Sequence, residues 1–309
     1  MKSAWLIGMM MLLAQAHIPE PLSLELQGQP IVTANRSDYS LPGQTMIDMD
    51  KLDRLIDHAD RRTYQPPVNA KIGDNGKIIP EKPGYRLNRE SFKEQFYTYY
   101  YGKGPSRIEA ERIAIYPRVD SELLANIRQK PIGQYTTYYN TGNKNRSFNL
   151  ALASKTINNH VVFPGELFSF NKVVGRRTED RGYLRAPIIV RGEMSEGIGG
   201  GICQVSSTLF NASDRAGLQI VQRYSHSRDV PYVPPGRDAT VSWGGPDFTF
   251  VNQYNQPILI RSFAGGGTMS VSIYSSDAIE YKPREVPSTS KRLPEEISID
   301  NDANDPSRQ

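Results

Sequence analysis

The chain holds one cysteine, and the residues around it give that thiol a chemistry. Gly199-Gly200-Gly201 runs directly into Ile202-Cys203-Gln204, after which Val205, Leu209, Ala212 and Ala216 recur at helical spacing. The spacing predicts a helix that opens at the cysteine. A thiol there faces the positive end of the helix dipole and the unpaired N–H groups of the first turn. That setting favours thiolate and lowers a cysteine pKa from about 8.5 into roughly the 3.5–7.5 range. Gly200 and Gly201 carry no Cβ to keep a substrate backbone away, and with Gln204 they are the expected substrate contacts beside the thiol. The competing reading is a buried cysteine serving as a small hydrophobe.

A cysteine nucleophile needs an imidazole within hydrogen-bond reach and a third group to orient it. His226, in the polar run Arg223-Tyr224-Ser225-His226-Ser227-Arg228, is the candidate base. Asp238, Asp229 and Asp247 are candidates for the orienting carboxylate. Asp238 is favoured because it opens a strand-like run after the rigid turn Val233-Pro234-Pro235-Gly236. Arg228 and Arg237 are placed to hold a substrate carboxylate by a two-pronged hydrogen bond. Backbone amides at the helix start would stabilise a developing oxyanion. The expected catalytic set is therefore Cys203, His226 and Asp238, with Gly200, Gly201, Gln204, Arg228 and Arg237 binding substrate.

Other chemistries fit poorly. None of His17, His58, His160 and His226 pairs with another at metal-ligand spacing, and a lone cysteine cannot build a structural zinc site, so neither metal nor cofactor is expected. Asp48, Asp50, Asp53 and Asp57 lack the glycine and closing glutamate of a calcium loop. The glycine-rich loop is not a phosphate cradle, because Ile202-Cys203 stand where lysine and a hydroxyl residue are required. No basic cluster is interleaved with aromatics, which argues against nucleic acid, and the net charge of +4 is mild.

Stepping outward, Met1-Lys2-Ser3, the apolar run 4–13 and Ala14-Gln15-Ala16 read as a secretory signal peptide over residues 1–16. The run is shorter than the roughly 20 residues of a spanning helix, so membrane contact is expected only if that signal is retained. Export places the protein in an oxidising compartment, where an unpaired cysteine is a spectator, an intermolecular linker or a reactive thiol.

The elements that must position these residues are α+β: a cysteine-bearing helix packed on a largely antiparallel sheet, preceded by a small α+β module. Residues 17–44 read as a linker and 45–130 as the small module. That module has an amphipathic helix bearing Leu52, Leu55, Ile56 and Ala59, and a hairpin over 68–87 that turns at Asp74-Asn75-Gly76. A helix follows from Asn88 with Phe92 and Phe96, then another capped by Asp120 or Ser121. Tyr97, Tyr99, Tyr100 and Tyr101 suit packing better than sugar stacking. Residues 131–280 form the main domain: an extended piece over 132–139, a helix over 147–157, a strand over 167–170, and the cysteine helix. An antiparallel meander over 239–243, 248–251, 258–263 and 269–274 completes it. The charged residues 281–309 read as a flexible tail.

Three stretches together resemble the VanW family. They are Gly199-Gly200-Gly201-Ile202-Cys203-Gln204-Val205-Ser206, Arg223-Tyr224-Ser225-His226-Ser227, and Tyr232-Val233-Pro234-Pro235-Gly236-Arg237-Asp238-Ala239-Thr240-Val241. Phe163-Pro164-Gly165-Glu166-Leu167-Phe168-Ser169-Phe170-Asn171 and Gly182-Tyr183 fit the same pattern, and the resemblance covers about residues 132–263. Residues 45–130, with Ile79-Pro80-Glu81-Lys82-Pro83-Gly84, more weakly resemble the module that often precedes this domain and is described as peptidoglycan-binding. Arg176-Arg177 stands where the pattern commonly has one arginine, Ser207 where threonine is frequent, and Trp243 where tyrosine is common. The family was named from vancomycin-resistance gene clusters, and some members are regarded as cysteine L,D-transpeptidases. The resemblance implies an exported, cell-wall-associated protein with peptidoglycan as partner, acting on stem peptides through a Cys203 thioester. The alternative is a non-catalytic peptidoglycan-binding accessory protein of cell-wall or glycopeptide-resistance function.

Overall fold

A computed structural model of the chain describes residues 21–102, 106–190 and 193–290; the signal peptide expected at 1–16 and the final part of the expected tail lie outside them. The described residues form six α-helices and several small sheets in an α+β arrangement, with strands mostly antiparallel. They divide into two compact units. One takes the chain to Asn69 and again Glu81–Arg118; the other takes Ala70–Pro80 and the chain from Val119 onward. The boundaries differ from the expected 45–130 and 131–280 because the chain crosses between units three times.

In the first unit the stretch expected as a linker is built into a sheet. Leu22–Leu26 and Gln29–Ala34 pair antiparallel, and Leu22–Leu26 also pairs in parallel with Arg107–Glu109. Leu22 and Leu24 alternate inward and are almost wholly buried. That alternation is only a few residues long and flanked by prolines and glycines, which hid it in the sequence. Helix α1 (Met49–Thr63) starts where Asp48 accepts from the Lys51 amide at 3.1 Å, and it buries Leu52, Leu55, Ile56 and Ala59. Helix α2 (Arg89–Tyr100) is capped by Asn88 and buries Phe92, Phe96, Tyr99 and Tyr100. Those two tyrosines are core residues; Tyr101 is exposed.

The second unit is organised on a four-stranded antiparallel sheet in the order Lys130–Tyr138, Thr268–Ser275, Ile258–Gly265, His160–Val162. Period-two alternation gives the sheet two apolar faces. Ile258 and Ile260 point into the main core with helix α4 (Lys144–Ile157) and the cysteine helix. Leu259 points the other way, to a smaller core with Ala70, Ile72, Leu124 and Ile127. That smaller core holds helix α3 (Ser121–Ile127), capped by Asp120, and the hairpin of Lys71–Ile72 with Ile78–Ile79. Asn159 clamps the hairpin: its Oδ1 accepts from the Ile72 amide at 2.9 Å and its Nδ2 donates to the Ile72 carbonyl at 3.0 Å. The expected hairpin over 68–87 continues outward from its tip through an antiparallel bridge between Val68 and Lys82, while its last part, Gly84–Leu87, pairs with Arg112–Ile115.

The expected four-strand meander divides. Ile258–Gly265 and Thr268–Ser275 form one hairpin, whereas Thr249–Val251 lies between Leu167–Ser169 and Gln219–Gln222 in a separate sheet. Residues 239–242 join no sheet, and Trp243 already lies in a turn in which the Gly245 amide donates to the Ser242 carbonyl. Short helix α5 (Phe170–Val174) follows Ser169, and the antiparallel hairpin of Arg185–Val190 and Glu193–Ile198 leads to the glycines. The first part of the expected tail is docked. Val286 is buried, Arg284 pairs with Asp214 at 2.8 Å, Tyr135 Oη donates to the Pro287 carbonyl at 2.9 Å, and Thr289 Oγ1 donates to the Thr136 carbonyl at 2.8 Å. Its charges and prolines disguise a segment whose carbonyls and one valine have fixed partners.

Candidate active site

Cys203 is the second residue of helix α6 (Ile202–Arg215), whose buried face carries Val205, Leu209 and Ala212 against the sheet. The three glycines make the tight entry. Gly201 has φ +101°, a conformation that side chains rarely adopt, and a Cβ on Gly200 would stand 2.5 Å from the Ala186 carbonyl oxygen. Glycine is thus required here for chain geometry and close packing against Arg185–Val190, independently of any substrate.

The extended segment after Arg237 lies along α6, and side chains of the helix take the place of a neighbouring strand. Ser207 Oγ accepts from the Ala239 amide at 2.9 Å, Ser206 Oγ donates to the Ala239 carbonyl at 2.6 Å, and Asn211 Nδ2 donates to the Arg237 carbonyl at 2.8 Å. Buried backbone groups need partners, and these hydroxyls and amides supply them without a ladder. This is why residues 239–243 read as a strand yet join no sheet. The Thr240 amide also donates to the Tyr224 carbonyl at 2.7 Å, which ties in the loop that carries His226.

The clamp brings the chemistry together. Cys203 Sγ lies 3.7 Å from Thr240 Oγ1 and 3.7 Å from the Val241 carbonyl oxygen, and the His226 imidazole is near enough to act on its ionisation. His226 Nδ1 is 2.6 Å from Asp238 Oδ2, and the His226 backbone amide donates to that same oxygen at 2.6 Å. A neutral imidazole whose Nδ1 faces a carboxylate carries its proton there and leaves Nε2 as the basic nitrogen. The side chains of His226 and Asp238 are only 7% and 8% exposed, so the pair is held away from bulk water. Arg223 approaches the same carboxylate at 3.7 Å.

The electrostatics run in one direction. Burial pushes the Cys203 thiol up, but the hydrogen bond and charge of His226, the backbone at Val241 and the Thr240 hydroxyl outweigh it and hold the thiol below its ordinary range. Burial pulls His226 down, but hydrogen bonds and charge from Cys203 and Asp238 outweigh that and hold it above its ordinary range. Opposite shifts on two touching groups favour a thiolate–imidazolium pair. Cys203 is half-buried, set in dense surroundings yet still accessible.

The other residues proposed from sequence are placed differently. Asp247 accepts from Ser169 Oγ at 2.6 Å and from the Asn171 amide at 2.9 Å, holding the start of α5. Asp229 is exposed. Gln204 is fully buried: Nε2 donates to Thr137 Oγ1 at 2.9 Å and to the Tyr138 carbonyl at 3.0 Å, and Oε1 accepts from Arg146 at 2.6 Å. Its amide bridges helix and sheet and has no donor left for a substrate. Arg237 bonds Asn211 Oδ1 at 2.7 Å, pairs with Asp214 at 2.8 Å and lies over the Phe210 ring, so its fork is occupied. Arg228 is exposed on the loop after His226. Of the first amides of α6, Ile202 and Gln204 donate to the Gly199 and Gly201 carbonyls; among the described residues the Cys203 amide has no recorded acceptor.

Three residues around the sulfur's site were not singled out from sequence: Thr240, which meets it at 3.7 Å, and Tyr232 and Arg177, which its charge reaches. Burial, followed by the Cys203 charge, pushes the Tyr232 phenol well above its ordinary range, which keeps it a neutral hydroxyl. Thr240 and Tyr232 sit inside a motif whose spacing carries no chemical signature, and Arg177 lies on a separate loop.

The site thus sets a half-buried cysteine at a helix start near a histidine whose ring meets a carboxylate. Residues 145–274 match the family described as "VanW like protein", and residues 18–109 match that described as "Putative peptidoglycan binding domain". The chain is similar to YoaR of Bacillus subtilis (strain 168), with 57% identity over 96% of this chain and 98% of that protein. It is also similar to the vancomycin B-type resistance protein VanW of Enterococcus faecalis (strain ATCC 700802 / V583), with 36% identity over 37% of this chain and 45% of that protein. The chain belongs to the VanW family. No solved structure matches it.

Proposed function

We propose that this protein works outside the cytoplasm at the cell wall, and that its VanW-like domain is a cysteine acyltransferase acting on peptidoglycan stem peptides. The peptidoglycan-binding match and the VanW relative support the cell-wall role. Among the described residues no helix is long and apolar enough to cross a membrane. The observation that carries the chemistry is the unbroken series Cys203, His226, Asp238, with the thiol shifted down and the imidazole shifted up.

The thiol proton passes to His226, and Cys203 Sγ attacks a stem-peptide carbonyl. A carbon–sulfur bond forms while the oxyanion faces the Cys203 amide. The imidazolium gives its proton to the leaving amine as the amide C–N bond breaks, leaving a thioester. An acceptor amine then attacks the thioester and gives a proton to the neutral His226, the new C–N bond forms, the C–S bond breaks, and the thiolate returns beside the imidazolium. Water in place of the amine makes the same site a peptidase.

Purified full-length protein incubated with muropeptides, followed by mass spectrometry, tests this reading. Exchanged or trimmed stems are expected from the wild-type chain and none from Cys203→Ala. Full turnover by Cys203→Ala would remove the enzyme and leave the wall-binding accessory role.

A further inference from the structure

A second cation packs on the segments around the thiol. Arg177 follows α5, and its Nη1 donates to Asn171 Oδ1 at 2.8 Å and to the Gly175 carbonyl at 3.0 Å. Asn171 is held in turn, its Nδ2 donating to the carbonyls of Ser242 at 2.9 Å and Pro246 at 3.0 Å. Ser242 directly follows Val241, whose carbonyl oxygen is 3.7 Å from Cys203 Sγ. On its other side Arg177 packs on the glycine entry, where a Cβ on Gly199 would meet Arg177 Cβ at 3.0 Å. The Gly199 carbonyl accepts from the first amide of α6. Arg177 is therefore bracketed by the two segments that hold the sulfur.

Its charge has little to answer it. Among the described residues no carboxylate lies within ion-pair distance of Arg177. Asp247, whose charge reaches it, is already committed to the Ser169 hydroxyl and the amides of Asn171 and Phe248. Burial pulls the guanidinium pKa down, and the first charge opposing that is the Cys203 thiolate. Among the described residues Nη1 alone meets acceptors, which leaves the remaining donors of a planar fork. A partly desolvated cation of that kind needs an anion, and the fork matches a carboxylate's two oxygens better than a single sulfur. When the sulfur is acylated its charge disappears, and the need for another anion becomes greater.

We infer that Arg177 forms a carboxylate-binding subsite beside Cys203, so that the acyl donor is a peptide stem carrying a free carboxylate near the attacked carbonyl. This rests on the reading of Cys203 as a reactive thiol, and it transfers to Arg177 the role expected of Arg228 and Arg237.

Two alkylating reagents of the same size and leaving group provide the test: iodoacetate, an anion, and iodoacetamide, which is neutral. The ratio of their rates at Cys203 cancels any change in the amount of thiolate and reports the local affinity for a carboxylate. In the full-length protein, Arg177→Gln lowers the iodoacetate-to-iodoacetamide ratio about tenfold, the lower end for a charge-assisted hydrogen bond, while Arg177→Lys retains part of it. In the wild-type protein, which needs no refolding control, sodium acetate slows iodoacetate more than sodium chloride does at equal ionic strength. A ratio unchanged in Arg177→Gln, or no difference between acetate and chloride, overturns the subsite while leaving the reactive thiol standing. A wild-type thiol inert to both reagents until denatured overturns the subsite and the acyltransferase together.

Discussion

A thiol that attacks a carbonyl near neutral pH must lose its proton more readily than free cysteine does. His226 and Asp238 supply the means: the carboxylate 2.6 Å from Nδ1 stabilises an imidazolium, and the imidazolium stabilises the thiolate. The signs fix a pH window. The Cys203 pKa is lowered, so thiolate persists below the ordinary thiol range; the His226 pKa is raised, so imidazolium persists above the ordinary histidine value. The ion pair exists between those two limits, and it is lost to thiol protonation as pH falls and to imidazolium deprotonation as pH rises. Stopped-flow alkylation with iodoacetamide is expected to reach half its maximum well below pH of about 8.5, the value for a free thiol. Asp238→Asn removes the charge but keeps the shape, so the curve should move to higher pH and acyl transfer should fall roughly a hundredfold or more. An unmoved curve would show that the carboxylate does not act through the imidazole.

At the scale of elements, α6 both carries Cys203 and does for residues 237–241 what a neighbouring strand would do. Ser207→Ala leaves the buried Ala239 amide without its acceptor. The expected cost is about 1–3 kcal/mol, read as a lowered chemical-denaturation midpoint, together with slower alkylation of Cys203 as Thr240 and Val241 shift. Equal stability of the variant would mean that water replaces the hydroxyl. Gly200→Ala drives a methyl into the Ala186 carbonyl, a backbone atom with no flexible end to yield, and little folded protein is expected from it. The helix period, its glycine entry and the caps Asn88 and Asp120 were legible in the sequence because each is a local relation within a few residues. The stretch 239–243 was misread as a strand because an alternating pattern records which side chains turn inward, but not which donors and acceptors meet the backbone. The strands at 22–34 were missed for the opposite reason: their pattern is too brief to stand out until a third strand from residues 107–109 pairs with them.

On the scale of the whole molecule, the second unit is completed by chain ends and insertions distant in sequence. The hairpin at 70–80 joins it through Asn159, and residues 281–289 close over it. A chain ending at Glu280 loses buried Val286, the Arg284–Asp214 pair and the acceptor of Tyr135 Oη. Burial of a valine alone contributes about 1.5–3 kcal/mol, so a fall of several degrees in Tm is expected by calorimetry. An unchanged Tm would show that the docked segment adds nothing to the fold.

From the sequence alone came the candidate thiol, its helix and the candidate histidine, because those follow from residue type and short-range spacing. The same sequence left three aspartates competing to orient the imidazole and named two arginines for a carboxylate. Tertiary structure set Asp238 against His226 Nδ1, committed Asp247 to a helix start and Arg237 to Asp214, and packed Arg177 from a separate loop on the glycine entry. The reason is range: hydrogen bonds and charge act over a few ångströms of space, and only the folded chain decides which distant residues share that space.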